Sequence, residues 1–241
     1  MFARQSTLPA ELRKQEARRL RREGLPVSAI ATAVGASQSS VSRWTRDIAL
    51  SPEQVAANAR AAAAARAVAK STFHRRMRVR FQEEGRERAR RGEPLHVAGC
   101  MLYWAEGSKD PNTAQIANSD PAMLEFFTSF LRGCFGITSD DMTFKLNVYT
   151  GNGLTLDEVE LTWMDRLGLA RRSARKHIVN HFPTSSSGAR KAKLPLGVCT
   201  LTVKRSTWLV QHIYGAIQEY SGIDQPQWLD CRSSRQTPQG T

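Results

Sequence analysis

The spacing of apolar positions divides the chain into stretches that favour different structures. In residues 11–24 (ELRKQEARRLRREG) apolar and basic positions interleave at helical spacing, and Gly24 ends the pattern. A short second helix follows in VSAIATAV, where Ile30, Ala31 and Val34 form one apolar face. Gly35 permits the left-handed turn that reverses the chain, Ser37 can cap the next helix, and Val41, Trp44 and Ile48 give that helix an inner face. A small residue where two helices cross, a glycine in the turn and apolar residues at fixed offsets afterwards make a helix-turn-helix pattern.

From Ser51-Pro52 to Gly92 nearly every residue is a strong helix former, which predicts one long helix with a break near Gly85. Its apolar spacing, Phe73, Met77 and Phe81, is that of a docking or dimer seam. Beyond it, PLHVAGCMLYWAEG predicts an apolar helix ending at Glu106-Gly107, and SKDPNTAQIANSD a polar hairpin. Asp120-Pro121 opens a further helix, MTFKLNVYT alternates as a strand, and LTLDEVELTWMDRLGL is helical. VCTLTVKRS is a second long strand and STWLVQHIYGAIQEY a closing helix. The expected order is α-β-β-α-β-α-β-α, which is not doubly wound, and the fold class is α+β. Four regions follow: a helix-turn-helix domain (1–50), a basic Ala/Arg-rich helical linker (51–92), an α/β domain with an antiparallel sheet (93–223) and a polar, flexible tail (224–241).

Charge sharpens this division. The 241-residue chain carries a formal net charge of +13, which favours a polyanionic partner. Residues 1–91 hold 20 Lys/Arg against 8 Asp/Glu, whereas residues 92–241 hold 15 against 14. From Arg60 to Arg91 there are 11 bases and 3 acids, a stripe containing Arg75 and Arg76 that suits nucleic-acid phosphates and would otherwise be a solvated spacer. The second region is itself split. Residues 93–165 hold 11 acids and 3 bases, and Arg166–Arg205 holds ten bases and no acid.

The N-terminal segment resembles helix-turn-helix modules of the resolvase and transposase-associated kind over about 40 residues, through Ala31, Gly35, Val41 and Trp44 taken together. The resemblance implies that the second helix enters the major groove, with Gln38, Ser39 and Ser42 at base edges and Arg43 and Arg46 at bases or phosphates. Read alone, the same residues describe an αα-hairpin with solvated arginines.

The region from residue 93 resembles the LAGLIDADG homing-endonuclease family. The resemblance rests on the helix ending LYWAEGS, on NSDPAMLEFFTSFLRGCFGI as the next helix, and on the order of elements. It implies a homodimer in which Glu106, followed by Gly107, supplies the acidic position of a Mg²⁺ site that cleaves duplex DNA. Met101 stands where the family places a small helix-contact residue, Ala98 and Gly99 lie upstream, and Trp104 occupies a position often acidic there. Lys145 and Lys204 on the strands fit a face toward DNA and equally plain surface charges, and Arg171 and Arg172 beside the sheet suit DNA phosphates.

Other chemistry finds little footing. The sequence has no P-loop, dinucleotide glycine fingerprint or G-x-S-x-G, and its five histidines show no H-E-x-x-H spacing. Cys100, Cys134, Cys199 and Cys231 are scattered and read as reduced, mostly buried thiols. No apolar run suits a membrane span or signal peptide, so a cytoplasmic, nucleoid-associated protein is expected. The preferred reading is a dimeric transcriptional regulator with an endonuclease-derived domain and no cofactor. The alternative is a Mg²⁺-dependent homing endonuclease, and a transposase or recombinase fits less well because no carboxylate trio or serine-nucleophile motif can be assembled.

Overall fold

The computed structural model describes residues 9–149, 153–180 and 194–230. The chain forms two compact units, residues 1–73 and 74–241. Three helices open the first: α1 (Ala10–Arg22), α2 (Val27–Val34) and α3 (Gln38–Thr45). Ala17, Ile30, Ala31, Val34 and Val41 are buried together, and Leu20, Leu25 and Trp44 close the edges of this small core. Gly35 ends α2 at φ 61°, a conformation that glycine adopts without a Cβ penalty.

Helix α4 (Pro52–Ala89) spans the boundary between the units. In the first unit, Ser51 and Gln54 bond reciprocally at its N-terminus, Ser51 N–H to Gln54 Oε1 at 3.0 Å and Gln54 N–H to Ser51 Oγ at 3.2 Å. Asn58 Nδ2 donates to the Gly24 carbonyl at 2.8 Å, which roots α4 on the turn between α1 and α2.

The second unit holds the rest of α4, then α5 (Pro94–Glu106), β1 (Gln115–Asn118), α6 (Pro121–Phe135), β2 (Met142–Val148), α7 (Leu156–Leu167), β3 (Ile178–Val179), β4 (Val198–Val203) and α8 (Thr207–Ser221). Strand order is β1-β4-β2-β3, antiparallel for the first two pairings and parallel for β2 with β3. The α+β class stands, but the sheet is mixed rather than antiparallel. The expected hairpin after α5 is a loop and one strand: only a bridge from Gly107 to Ile116 remains of its first arm, and β1 pairs with β4 instead. Alternation places Ile116, Met142, Phe144, Leu146, Val148, Cys199, Leu201 and Val203 in the core. Helices α5 to α8 cover that layer, with Tyr103, Phe127, Trp163 and Ile213 among the fully buried residues.

The break expected near Gly85 does not occur, because the glycine serves contact rather than bending. Gly85 and Gly215 let α4 and α8 touch backbone to backbone: a methyl on Gly85 would lie 2.0 Å from the His212 carbonyl oxygen, and one on Gly215 1.9 Å from that of Gln82. Buried glutamines lock the crossing, with Gln82 Nε2 donating to Gln211 Oε1 at 2.8 Å and Gln218 Nε2 to Gln82 Oε1 at 3.1 Å. The packed face of α4 is therefore Arg78, Gln82, Gly85 and Ala89, while Phe73 is 59% exposed and Met77 and Phe81 are half-buried. Of the stretch read as a tail, Pro226–Leu229 forms a 3-10 turn whose Trp228 stacks on Tyr214, and residues 231–241 lie outside the described residues.

Cys100 and Cys199 are buried thiols, Cys134 is half-buried and Cys231 lies outside the described residues. Burial pushes the Cys199 thiol up to about 12. No helix among the described residues is long and apolar enough to cross a membrane.

Candidate nucleic-acid interface

Helix α3 is short, and its two faces have different chemistry. At about 100° per residue, Val41, Trp44, Thr45 and Ile48 project to one side, and Gln38, Ser39, Ser42, Arg43 and Arg46 fall within an arc of about 140° on the other. The first set is buried or half-buried and all five of the second are exposed. No carboxylate is bound to Arg43 or Arg46 among the described residues, so the outer face presents two uncompensated guanidinium groups above a row of neutral hydrogen-bonding side chains.

Local bonds fix where this face begins and ends. Ser37 caps α3 by accepting the Ser40 N–H at 3.1 Å, and its hydroxyl also meets Ser39 and Ser40 at 2.9 Å each. At the other end Arg18 of α1 donates to the Trp44 carbonyl at 2.6 Å and forks onto Asp47 at 2.7 and 2.6 Å. That pairing holds the Asp47 carboxyl down at about 2. Arg13, also on α1, donates to the Gly35 carbonyl at 3.2 Å. Helix α1 thus grips both the turn before α3 and the residues just after it. The sequence reading missed these positioning arginines; the one signal for them was Asp47, the lone acid close to an otherwise basic helix. Ser37→Ala is expected to destabilise the first unit by about 1 kcal/mol, and Ser37→Asp to restore it, as read by helix melting in circular dichroism.

Elsewhere the expected contact residues are dispersed. Arg75 is paired with Asp230 at 3.0 Å, whereas Arg76 is exposed without an ion pair among the described residues. Lys145 is exposed on β2, on the sheet face opposite the core, in register with Thr200 and through it with Ala117. Lys204 donates to the Asp140 carbonyl at 2.6 Å. Arg171 lies 3.5 Å from Asp157 and 3.6 Å from Glu160, and Arg172 is 2.7 Å from Asp140. The acidic and basic halves of this unit are therefore stitched together.

Glu106 is exposed at the C-terminal end of α5, where Asn118 Nδ2 donates to it at 3.4 Å. Among the described residues no three His, Cys, Asp or Glu side chains group as a metal donor set. The described oxygen donors at this point are one carboxylate and one amide from a single chain, fewer than the roughly six a divalent cation takes. Gly99 is packed inside the unit: a methyl there would lie 2.1 Å from the Phe130 ring.

Three of the histidines hold structural posts. The Leu146 N–H donates to His177 Nδ1 at 3.1 Å, which leaves Nε2 to donate to Glu160 at 3.3 Å. His96 and His212 face each other in the core, and His74 is exposed. His181 lies outside the described residues.

Residues 8–55 match the family model HTH_23, a homeodomain-like domain, which runs from the residue before α1's cap to the first turn of α4. No curated protein and no solved structure matches the chain.

Proposed function

We propose that the protein is a sequence-specific DNA-binding regulator of transcription that reads duplex DNA with the outer face of α3. The observation that carries this is the chemistry of that face: Gln38, Ser39, Ser42, Arg43 and Arg46 are all exposed, and neither arginine is neutralised. Gln and Arg present the donor patterns that distinguish adenine and guanine in the major groove. The match of residues 8–55 to a homeodomain-like domain supports DNA binding by the same segment.

For the second unit the reading is an endonuclease-derived domain retained for DNA contact and self-pairing. Its support is a sheet covered on one side, with Gln115, Lys145, Asn147, Thr200 and Thr202 on the other, and a helix α5 whose Ala98, Trp104 and Ala105 remain exposed. A homodimer pairing through α5 would bring two copies of Glu106 near one axis.

Selection of bound sequences from random duplex DNA tests the reading. A consensus is expected, and a palindromic one if the protein pairs. Arg43→Ala should lower the ratio of specific to random binding by about tenfold to a hundredfold, and an unchanged ratio would remove α3 from the recognition role. A nicking assay on plasmid carrying the selected site, with Mg²⁺ and with Glu106→Gln alongside, separates regulator from nuclease. Cutting by the parent and not by the variant would overturn the regulator reading.

A further inference from the structure

We infer that the first half of α4 is a second DNA contact, in which Arg60, Arg66 and Lys70 bind the phosphodiester backbone flanking the sequence read by α3. This rests on the DNA-binding reading and adds a site outside the helix-turn-helix.

The case begins with a contrast inside one helix. Downstream, Arg75, Arg80, Arg86, Arg88 and Arg90 each hold a carboxylate and Arg78 donates to the Leu229 carbonyl at 2.8 Å, which leaves Arg76 and Arg91 without an ion pair among the described residues. Upstream the cations have nothing to hold. No Asp or Glu occurs between Glu53 and Glu83. Every residue from 59 to 76 is exposed, and neither Arg60, Arg66 nor Lys70 has a hydrogen-bond or ion-pair partner among the described residues. A helix face made only for solvent usually interleaves both signs four residues apart, as the second half of α4 does with Arg80 and Glu84 at 2.8 Å. Between Glu53 and Arg75 the helix carries one sign alone.

Geometry gathers these charges on one side. At about 100° and 1.5 Å per residue, the three cations occupy an arc of about 120° and span about 15 Å along the axis. That length covers about four phosphates of one strand at 3.4 Å each. Between the cations stand alanines, including Ala61 to Ala65, Ala67 and Ala69, whose single methyl groups let the helix approach a backbone closely. The stripe also starts from a fixed point in the same compact unit as α3, because Asn58 bonds the Gly24 turn at 2.8 Å.

Backbone contact of this kind gives affinity and salt dependence but no base discrimination. The test uses the full chain and its selected duplex, with binding measured by fluorescence anisotropy at a series of salt concentrations. Three forms are compared: the parent, R60Q/R66Q/K70Q, and the charge-matched R75Q/R80Q/R90Q. Glutamine keeps the helix propensity at these exposed positions, and circular dichroism checks the fold.

The first variant is expected to lose about 2 to 3 from the slope of log affinity against log salt, near 0.9 for each phosphate no longer neutralised. It should bind at least about tenfold more weakly at 0.1 M salt, with its preference for the selected over a random duplex unchanged. The second variant should lose less than about 1 from the slope. A slope for the first variant equal to the parent's, or equal losses in both variants, would overturn the inference while leaving the α3 reading standing. A parent that prefers no sequence but whose slope still falls in the first variant alone would remove the α3 reading and leave this contact. A parent that binds no duplex would remove both.

Discussion

Replacing Gly85 with alanine is expected to destabilise the second unit by about 3–5 kcal/mol, although alanine is the better helix former. The added methyl would sit 2.0 Å from the His212 carbonyl oxygen and 2.8 Å from its carbon. Both are backbone atoms, so no side chain can turn aside, and α4 or α8 must shift by more than an ångström. That shift would also stretch the Gln82–Gln211 bond of 2.8 Å, leaving buried amides without partners. A matched substitution isolates the cause. Gly133 is also helical, but a methyl there meets only the end of the Leu95 side chain, at 2.9 Å. Gly133→Ala should be neutral or stabilising by up to about 1 kcal/mol. Urea unfolding followed by tryptophan fluorescence reads both variants, since Trp104, Trp163, Trp208 and Trp228 all lie in the second unit. Equal costs at the two glycines would show that the α4–α8 crossing is not tight.

The same crossing shows where sequence patterns stop being informative. That α4 is a helix is written in its composition, but the face it buries is Arg78, Gln82, Gly85 and Ala89, in which only alanine is apolar. A search for apolar spacing selects Phe73, Met77 and Phe81 instead, and the structure leaves these exposed or half-buried. Strand pairing is equally remote from local pattern. Ile116 belongs beside Leu201, 85 residues away, so turn residues at Asp110-Pro111-Asn112 suggested a hairpin where the chain makes a loop. By contrast, the helix-turn-helix was readable because each of its constraints is local: Gly35 at φ 61°, Ser37 as cap, and Val41 inside.

Charge counting had a similar limit. Ten bases without an acid from Arg166 to Arg205 looked like a phosphate surface. In the folded unit Arg166 meets Glu125 at 3.1 Å, Arg171 meets Asp157 and Glu160, and Arg172 meets Asp140. The partners come from the acidic half, 11 to 41 residues upstream, and a charge count along the sequence does not pair them. Among the described residues of the first unit, Arg43 and Arg46 on α3 and Arg60, Arg66 and Lys70 on α4 stay without a carboxylate, as Arg76 and Lys145 do in the second unit. The candidate interface therefore contracts toward the helix-turn-helix, and Glu106 stands outside any grouped donor set among the described residues.

Acidification is expected to weaken the second unit well above the pH at which ordinary carboxylates titrate. His96 is fully buried, and His212 is 8% exposed. His96 Nδ1 lies 2.7 Å from the Tyr220 hydroxyl, and the two Nε2 atoms lie 3.1 Å apart, so one ring donates to the other, and two imidazoliums would set N–H against N–H. Burial lowers both from 6.5 to about 4, reinforced for His212 by the facing His96 and then by Arg88, and for His96 by Arg88, although Glu93 pulls His96 the other way. Above the unfolded value both states leave the rings neutral, and these histidines add no pH dependence. As pH falls from 6.5 toward 4 the unfolded chain takes up protons that the folded unit refuses, so stability falls with pH in that window and the slope flattens once the folded rings protonate. At about 1.4 kcal/mol per pH unit for each ring, the loss across the window is about 3 kcal/mol per histidine. Urea midpoints at pH 7.5, 6 and 5 should fall in that order, and His212→Gln, which keeps an amide opposite His96, should roughly halve the dependence. Midpoints that agree at pH 7.5 and 5 would mean that the buried pair accepts a proton as readily as the unfolded chain does.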